Sequence, residues 1–139
     1  MRTRGSWILG LVIAAAAVFL IRFMNRDVAL CRATLTGLAE GQSSVQRHID
    51  WEHLKALDVD VGLTYTQLPK NEKAGYRQAF ISYFAKGFRY VAGDTQAFTN
   101  WRMQPDGSIA VDYSAKQRTL VFHVTDSWLH RRVQAIQWQ

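Results

Sequence analysis

From Gly5 to Ile21 the chain runs for seventeen residues without a charge, and this run constrains everything that follows it. Trp7-Ile8-Leu9-Gly10-Leu11-Val12-Ile13 leads into four alanines and then Val18-Phe19-Leu20-Ile21. As a helix it extends about 26 Å, close to the thickness of a hydrocarbon core. Phe23 and Met24 lengthen it when Arg22 turns its guanidinium back to the headgroups. Trp7 stands where an interfacial aromatic belongs. A chain of 139 residues leaves too little behind this run to wrap it in a water-soluble core. The run therefore predicts an anchor that contacts the lipid bilayer through residues 7–24.

A cleaved signal peptide is the competing reading, because Arg2 and Arg4 make a charged start. The apolar run is longer than a usual signal core, and Arg22-Phe23-Met24-Asn25-Arg26-Asp27 offers no small-x-small cleavage site. Val28-Ala29-Leu30-Cys31 resembles a lipoprotein box only in passing, since Leu30 is too large and Cys31 too far along. An uncleaved single-pass anchor is the expectation. Arg2 and Arg4 nearly balance Arg22, Arg26 and Arg32 across the run, so flanking charge alone does not orient it. An Arg-rich start on a short N-terminal anchor favours a cytoplasmic N-terminus. The expected division is residues 1–25 for the cytoplasmic N-terminus and anchor, and 26–139 for one extracytoplasmic domain at the cell membrane.

The net charge of +6 shrinks once the anchor is set aside. Without Arg2, Arg4 and Arg22 the chain holds 14 basic against 11 acidic residues, an ordinary soluble surface. Residues 70–139 carry ten bases against five acids, a face that fits anionic lipid, an acidic partner or plain solvation. No nucleic-acid motif accompanies it. The single cysteine, Cys31, can form no internal disulfide and reads as a small buried residue.

Behind the anchor the first helix is expected to continue through residues 26–40, with Val28, Cys31, Leu35 and Leu38 at three-to-four spacing and Gly41 as its stop. Asp50 reads as the N-cap of a short helix carrying Trp51, Leu54 and Leu57. Residues 58–62 read as irregular or a short edge strand. Pro69 opens a long helix in which Tyr76, Phe80, Phe84 and Phe88 recur every four residues, widened by Ile81 and Val91. The period then changes to two. Residues 98–103 place Thr99, Trp101 and Met103 on one face, Pro105-Asp106-Gly107 turns the chain, and Ile109, Val111 and Tyr113 alternate with polar neighbours. Residues 119–124 and 132–138 complete an antiparallel meander of four strands. Helices first and strands last is α+β order, with the aromatic helix covering one face of the sheet.

This order, closing on Thr119-Leu120-Val121-Phe122-His123-Val124 and Val133-Gln134-Ala135-Ile136-Gln137-Trp138, resembles the NTF2-like (cystatin-like) α+β superfamily over about residues 26–139. The resemblance implies helices packed on a curved four-stranded antiparallel sheet. With an anchor ahead of it, the chain is also distantly similar to assembly subunits of the VirB8 type in bacterial secretion and conjugation systems.

Constellations that carry chemistry are sparse. His48-Ile49-Asp50-Trp51-Glu52-His53 crowds four candidate metal ligands, but the histidines are five apart with the expected helix start between them and point differently, so a helix cap plus exposed polar residues explains the cluster better. His123 shares a strand face with Thr119 and Val121, opposite Leu120 and Phe122; in a curled sheet it is a candidate base, otherwise a hydrogen-bonded strand histidine. Enzymes of the superfamily use an acid in an apolar cone, and Asp112, the only strand carboxylate, alternates away from its apolar neighbours. No nucleophile triad, phosphate loop or CxxC pair is present, so no cofactor or metal is expected. The candidate pocket or core residues are Tyr76, Phe80, Trp101, Tyr113, His123 and Trp138. The leading expectation is a membrane-anchored binding or assembly domain without catalytic activity, whose partners are other membrane or envelope proteins or a second copy of itself. The alternative is an NTF2-like small-molecule or lipid-binding protein, or an isomerase- or dehydratase-like enzyme with an aromatic pocket.

Overall fold

The computed structural model describes residues 4–127 and 129–139. Arg2 of the N-terminal flank lies outside the described residues, as do the side chains of Arg4 and Met24. Helix α1 spans Arg4–Ala39 without a break. Its N-terminal half is exposed on every side, and the most apolar eighteen-residue window has a mean hydropathy of 2.3 with none of it buried. By length and composition this half is able to cross a membrane. The same helix then enters the domain. Asp27, Cys31, Thr34, Leu35 and Leu38 are buried at three-to-four spacing, one stripe against the sheet. The division expected at residue 25 therefore falls inside a continuous helix, with no linker between its two halves.

Gly41 ends α1 at φ +68°. Its N–H donates to Leu38 O and that of Gln42 to Gly37 O, which satisfies the last carbonyls in a Schellman arrangement. A 3₁₀ turn, Ser43–His48, follows. The short helix expected from Asp50 is absent. Trp51–His53 form turns and the chain enters strand β1, Lys55–Ala56. Asp50 heads the turn by accepting the His53 N–H on its carbonyl, while its own N–H is drawn to Val133 O, which holds the segment extended. Strand β2, Val59–Asp60, is the short edge strand. Helix α2, Val61–Gln67, starts where Asp60 Oδ1 accepts the Leu63 N–H at 3.0 Å. Its roughly two turns carry too few apolar residues to show a period in the sequence.

Helix α3, Lys70–Val91, begins after Pro69 as expected. Its buried centre is Ile81 and Ala85, with Tyr76, Phe80, Phe84 and Phe88 half-buried along one flank and Val91 exposed. Val91 thus lies outside the stripe that the sequence predicts. Strands β3 (Phe98–Met103), β4 (Ile109–Tyr113), β5 (Arg118–Val124) and β6 (Val133–Trp138) form the expected antiparallel meander.

The sheet nonetheless has six strands in the order β2-β1-β6-β5-β4-β3, and it is mixed because β1 runs parallel to β6. The four-stranded antiparallel sheet of the sequence reading is corrected accordingly. Two-residue strands have no readable alternation, and β1 is recruited only because Ile49 and Asp50 bridge to Val133. A register shift between Thr99 and Arg102, with Asn100 at φ +60°, leaves Thr99 exposed while Phe98, Trp101 and Met103 reach the core. That bulge, not simple alternation, sets which side chains of β3 face inward.

The helix cover also differs from expectation. Helix α1 makes the close backbone approach to β3, β4 and β6, and α3 packs beside α1. Helix α3 reaches the sheet through rings, Phe88 stacking on Phe98 at 5.6 Å between centroids and Phe98 on Tyr113 at 4.9 Å. The width of those rings holds its C-terminal half off the strands.

Candidate functional site: an apolar groove beside the third helix

The gap between α3 and the sheet is a groove of about 280 Å³. Leu35 of α1 forms its base, Phe84, Gly87 and Phe88 one wall, and Leu120, Ile136 and Trp138 the other. Tyr83, Val91 and Leu57 stand at its edges. The lining is almost wholly apolar, and among these residues there is no carboxylate or histidine. A volume at the lower end of small-molecule pockets accommodates one or two large side chains or a stretch of acyl chain.

Each wall has a local cause. Gly87 meets no heavy atom within 4 Å where a Cβ would stand, so its absent side chain keeps the groove open near the C-terminal end of α3. Tyr83 and Tyr90, 76% and 93% exposed, share its helical face at spacings of four and three residues. Leu57 projects from the β1–β2 hairpin at φ +49°, followed by Asp58 at φ +71°. Two consecutive left-handed residues are the geometry of a type I′ turn, which suits Asn-Gly far better than Leu-Asp. A leucine held there costs about 1 kcal/mol of backbone strain, and such strain concentrates where a side chain is needed in a particular place.

Of the six residues singled out in the sequence, Trp138 lines this groove and Tyr113 backs it, with its ring 6.0 Å from that of Trp138. Tyr76 and Phe80 lie further along α3. Tyr76 is 6.2 Å from Tyr65, and Phe80 meets Trp51 edge-on at 5.5 Å. Trp101 packs on Phe122 at 5.7 Å. His123 sits on the opposite sheet face, its Nε2 3.1 Å from the Gln137 side-chain nitrogen, and does not enter the groove. The sequence reading did not single out Leu57, Tyr83, Gly87 or Val91 as site residues. The Tyr83, Gly87, Tyr90 spacing was the available signal, on the flank next to the aromatic stripe.

The polar constellations resolve into structural roles. His53 Nδ1 contacts Asp50 Oδ2 at 3.0 Å on the surface, and His48 lies elsewhere, its pKa lowered by partial burial and then by Arg47. Among the described residues no group of three or more His, Cys, Asp or Glu is placed to hold a metal. Asp112 faces outward, accepting from Asn100 Nδ2 at 2.9 Å, Arg102 at 3.0 Å and Thr119 Oγ1 at 3.1 Å. Those bonds, that from Asn100 foremost, hold its carboxyl below the usual range. Asp106 is lowered by the Ser108 hydroxyl and N–H in the β3–β4 turn. Beside α1, Asp27 takes a two-pronged bond from the Arg131 guanidinium. Cys31 lies buried near that pair, and desolvation raises its thiol pKa, which keeps it protonated and unreactive.

Compared with protein-family models, curated proteins and solved structures, the chain matches none.

Proposed function

We propose that this chain is a single-pass membrane protein of the cell envelope whose extracytoplasmic domain binds an apolar segment of another membrane or envelope protein, in an assembly rather than a catalytic role. The observation that carries the reading is the apolar groove at Gly87, with exposed Tyr83 at its edge, on a domain that shares one helix with a membrane-length apolar run. An uncleaved anchor is supported by the continuity of α1, because a peptidase cut after the apolar run would fall inside a helix that supplies Asp27, Cys31, Leu35 and Leu38 to the core. A long helix ahead of a four-strand antiparallel meander, with a groove between helix and sheet, supports an NTF2-like reading of the domain. The mixed sheet with its parallel β1–β6 pair is the departure from the four-stranded pattern.

Leu35, at the base of the groove, stands fourteen residues past Ile21, or about 21 Å along the helix axis. The groove is therefore held clear of the hydrocarbon, where a partner's extracytoplasmic segment reaches it. Burying one aromatic or branched side chain there contributes about 2 kcal/mol.

The test places a photo-crosslinking residue at Tyr83 of the full-length protein in its native membranes. The expected result is one discrete protein adduct that disappears when Gly87→Leu fills the groove, with no adduct from the same probe at Lys116. An adduct insensitive to Gly87→Leu, or none, overturns the binding reading. A lipid acyl chain is the second occupant of matching chemistry, and the adduct mass separates lipid, partner protein and second copy. Extracytoplasmic placement is checked separately, by labelling Lys116→Cys in intact cells with a membrane-impermeant maleimide.

A further inference from the structure

We propose that residues 129–132, which lead into β6, are a second membrane contact: a foot that rests Leu129, His130 and Arg132 in the headgroup layer beside the anchor. The inference rests on the membrane reading of α1 above and adds a surface to it.

The placement follows from one ion pair. Asp27 of α1, whose side chain is 3% exposed, holds the guanidinium of Arg131, whose side chain is 19% exposed. Asp27 lies six residues past Ile21 and three past Met24, so the pair sits about 5–9 Å along the helix axis from the apolar end. A headgroup layer extends roughly 5–7 Å beyond the hydrocarbon on each side. The loop is thereby fixed at the height of the lipid surface.

The sheet register points the same way. Val124 pairs with Val133, Ile109 with Phe122 and Met103 with Ile109, so the β5–β6 loop and the β3–β4 turn share the sheet end at which α1 enters the domain. The β4–β5 turn, with Lys116, occupies the far end.

The two ends of the loop are tied together, and its described residues present the right chemistry. Thr125 N–H donates to Arg132 O, the Thr125 hydroxyl donates to His130 O, and Arg132 N–H donates to Thr125 Oγ1. With its backbone tied inward, Leu129 is left 77% exposed and His130 and Arg132 point to solvent. A single exposed leucine is ordinary on a protein surface. Here it is next to Arg131, which is pinned to the exit of a membrane-length helix, where α1 exposes Arg22 and Arg26 and the loop exposes Arg132. An exposed leucine with exposed arginines at the same helix exit fits the boundary between acyl chains and anionic headgroups.

The experiment uses the full chain reconstituted in vesicles of phosphatidylcholine and phosphatidylglycerol that contain nitroxide-labelled lipid. An environment-sensitive fluorophore is attached in turn to Leu129→Cys, Lys116→Cys and Val12→Cys. Buried Cys31 does not compete for the label. Strong quenching and a blue shift at 129 and 12, with neither at 116, is the expected result. Quenching at 12 without quenching at 129 overturns the foot and leaves the anchor standing. No quenching at 12 overturns the membrane reading itself, and the foot with it. Equal quenching at 129 and 116 also overturns the foot, since the domain would then have no preferred side toward the bilayer.

Discussion

Asp27 and Arg131, 104 residues apart in the chain, meet in a bidentate ion pair that fastens the first helix to the last hairpin at the point where the helix enters the domain. A planar guanidinium matched to a carboxylate fixes direction as well as distance. Because α1 has no linker, this bond and the buried stripe of Cys31, Leu35 and Leu38 together set how the domain stands on its apolar helix.

Removing one partner leaves the other buried without compensation. Arg131→Ala is expected to destabilise the domain by about 3 kcal/mol or more, and Asp27→Ala by somewhat less because Arg131 retains some solvent. The double change Asp27→Leu with Arg131→Met recovers much of the loss, since no stranded charge remains. Urea unfolding of the detergent-solubilised protein checks the order of the three.

Gly62 is required by a close approach. A Cβ there would stand 2.4 Å from Glu52 O, and the Gly62 N–H donates to Leu54 O at 2.9 Å, so the backbones cannot separate without losing that bond. Gly62→Ala is expected to cost about 1–3 kcal/mol. Gly75→Ala, in open space on α3, is expected to stabilise by about 0.5–1 kcal/mol. Thermal melts of the two variants move in opposite directions if the contact is as described.

Leu57 sets strain against a contact. Leu57→Asn suits the left-handed backbone and is expected to raise stability by up to about 1 kcal/mol, because the leucine is already 39% exposed and gives up little burial. The same change removes an edge of the groove, so the Tyr83 crosslink should weaken. A variant that is both less stable and equally crosslinked contradicts the assignment.

Acid sensitivity follows from Asp112 and Asp106. Both folded-state pKa values are depressed by hydrogen bonds, so their stabilisation is present above the ordinary Asp value of about 3.9 and is lost as pH falls through the lower folded values. The Asp112→Asn variant is expected to show a flatter decline in melting temperature below that value than the parent chain. An identical slope would remove Asp112 from the account.

Much of the plan is legible in the chain. The uncharged run, the Gly41 stop, the Pro69 entrance and the change from period four to period two each act locally, through solvation or backbone sterics, and each recurs in the structure. The groove is less legible. Trp138 and Tyr113 are visible as large alternating aromatics, yet Leu57 reaches the groove only because a strained turn aims it there, and Gly87 matters for an atom it lacks.

The residues from Gly5 to Ile21 by themselves determined an apolar helix long enough to cross a membrane, and the periods behind it determined the continuation of α1, helix α3 and the four-strand meander, because hydrophobic patterning needs only neighbours one turn or one pleat away. Tertiary structure alone decided that β1 joins β6 in parallel, that α1 rather than α3 lies on the sheet, and that Asp27 finds Arg131. Those outcomes depend on ring widths, a bulge at Asn100 and hydrogen bonds between segments distant in sequence, which exist only once the chain has closed on itself.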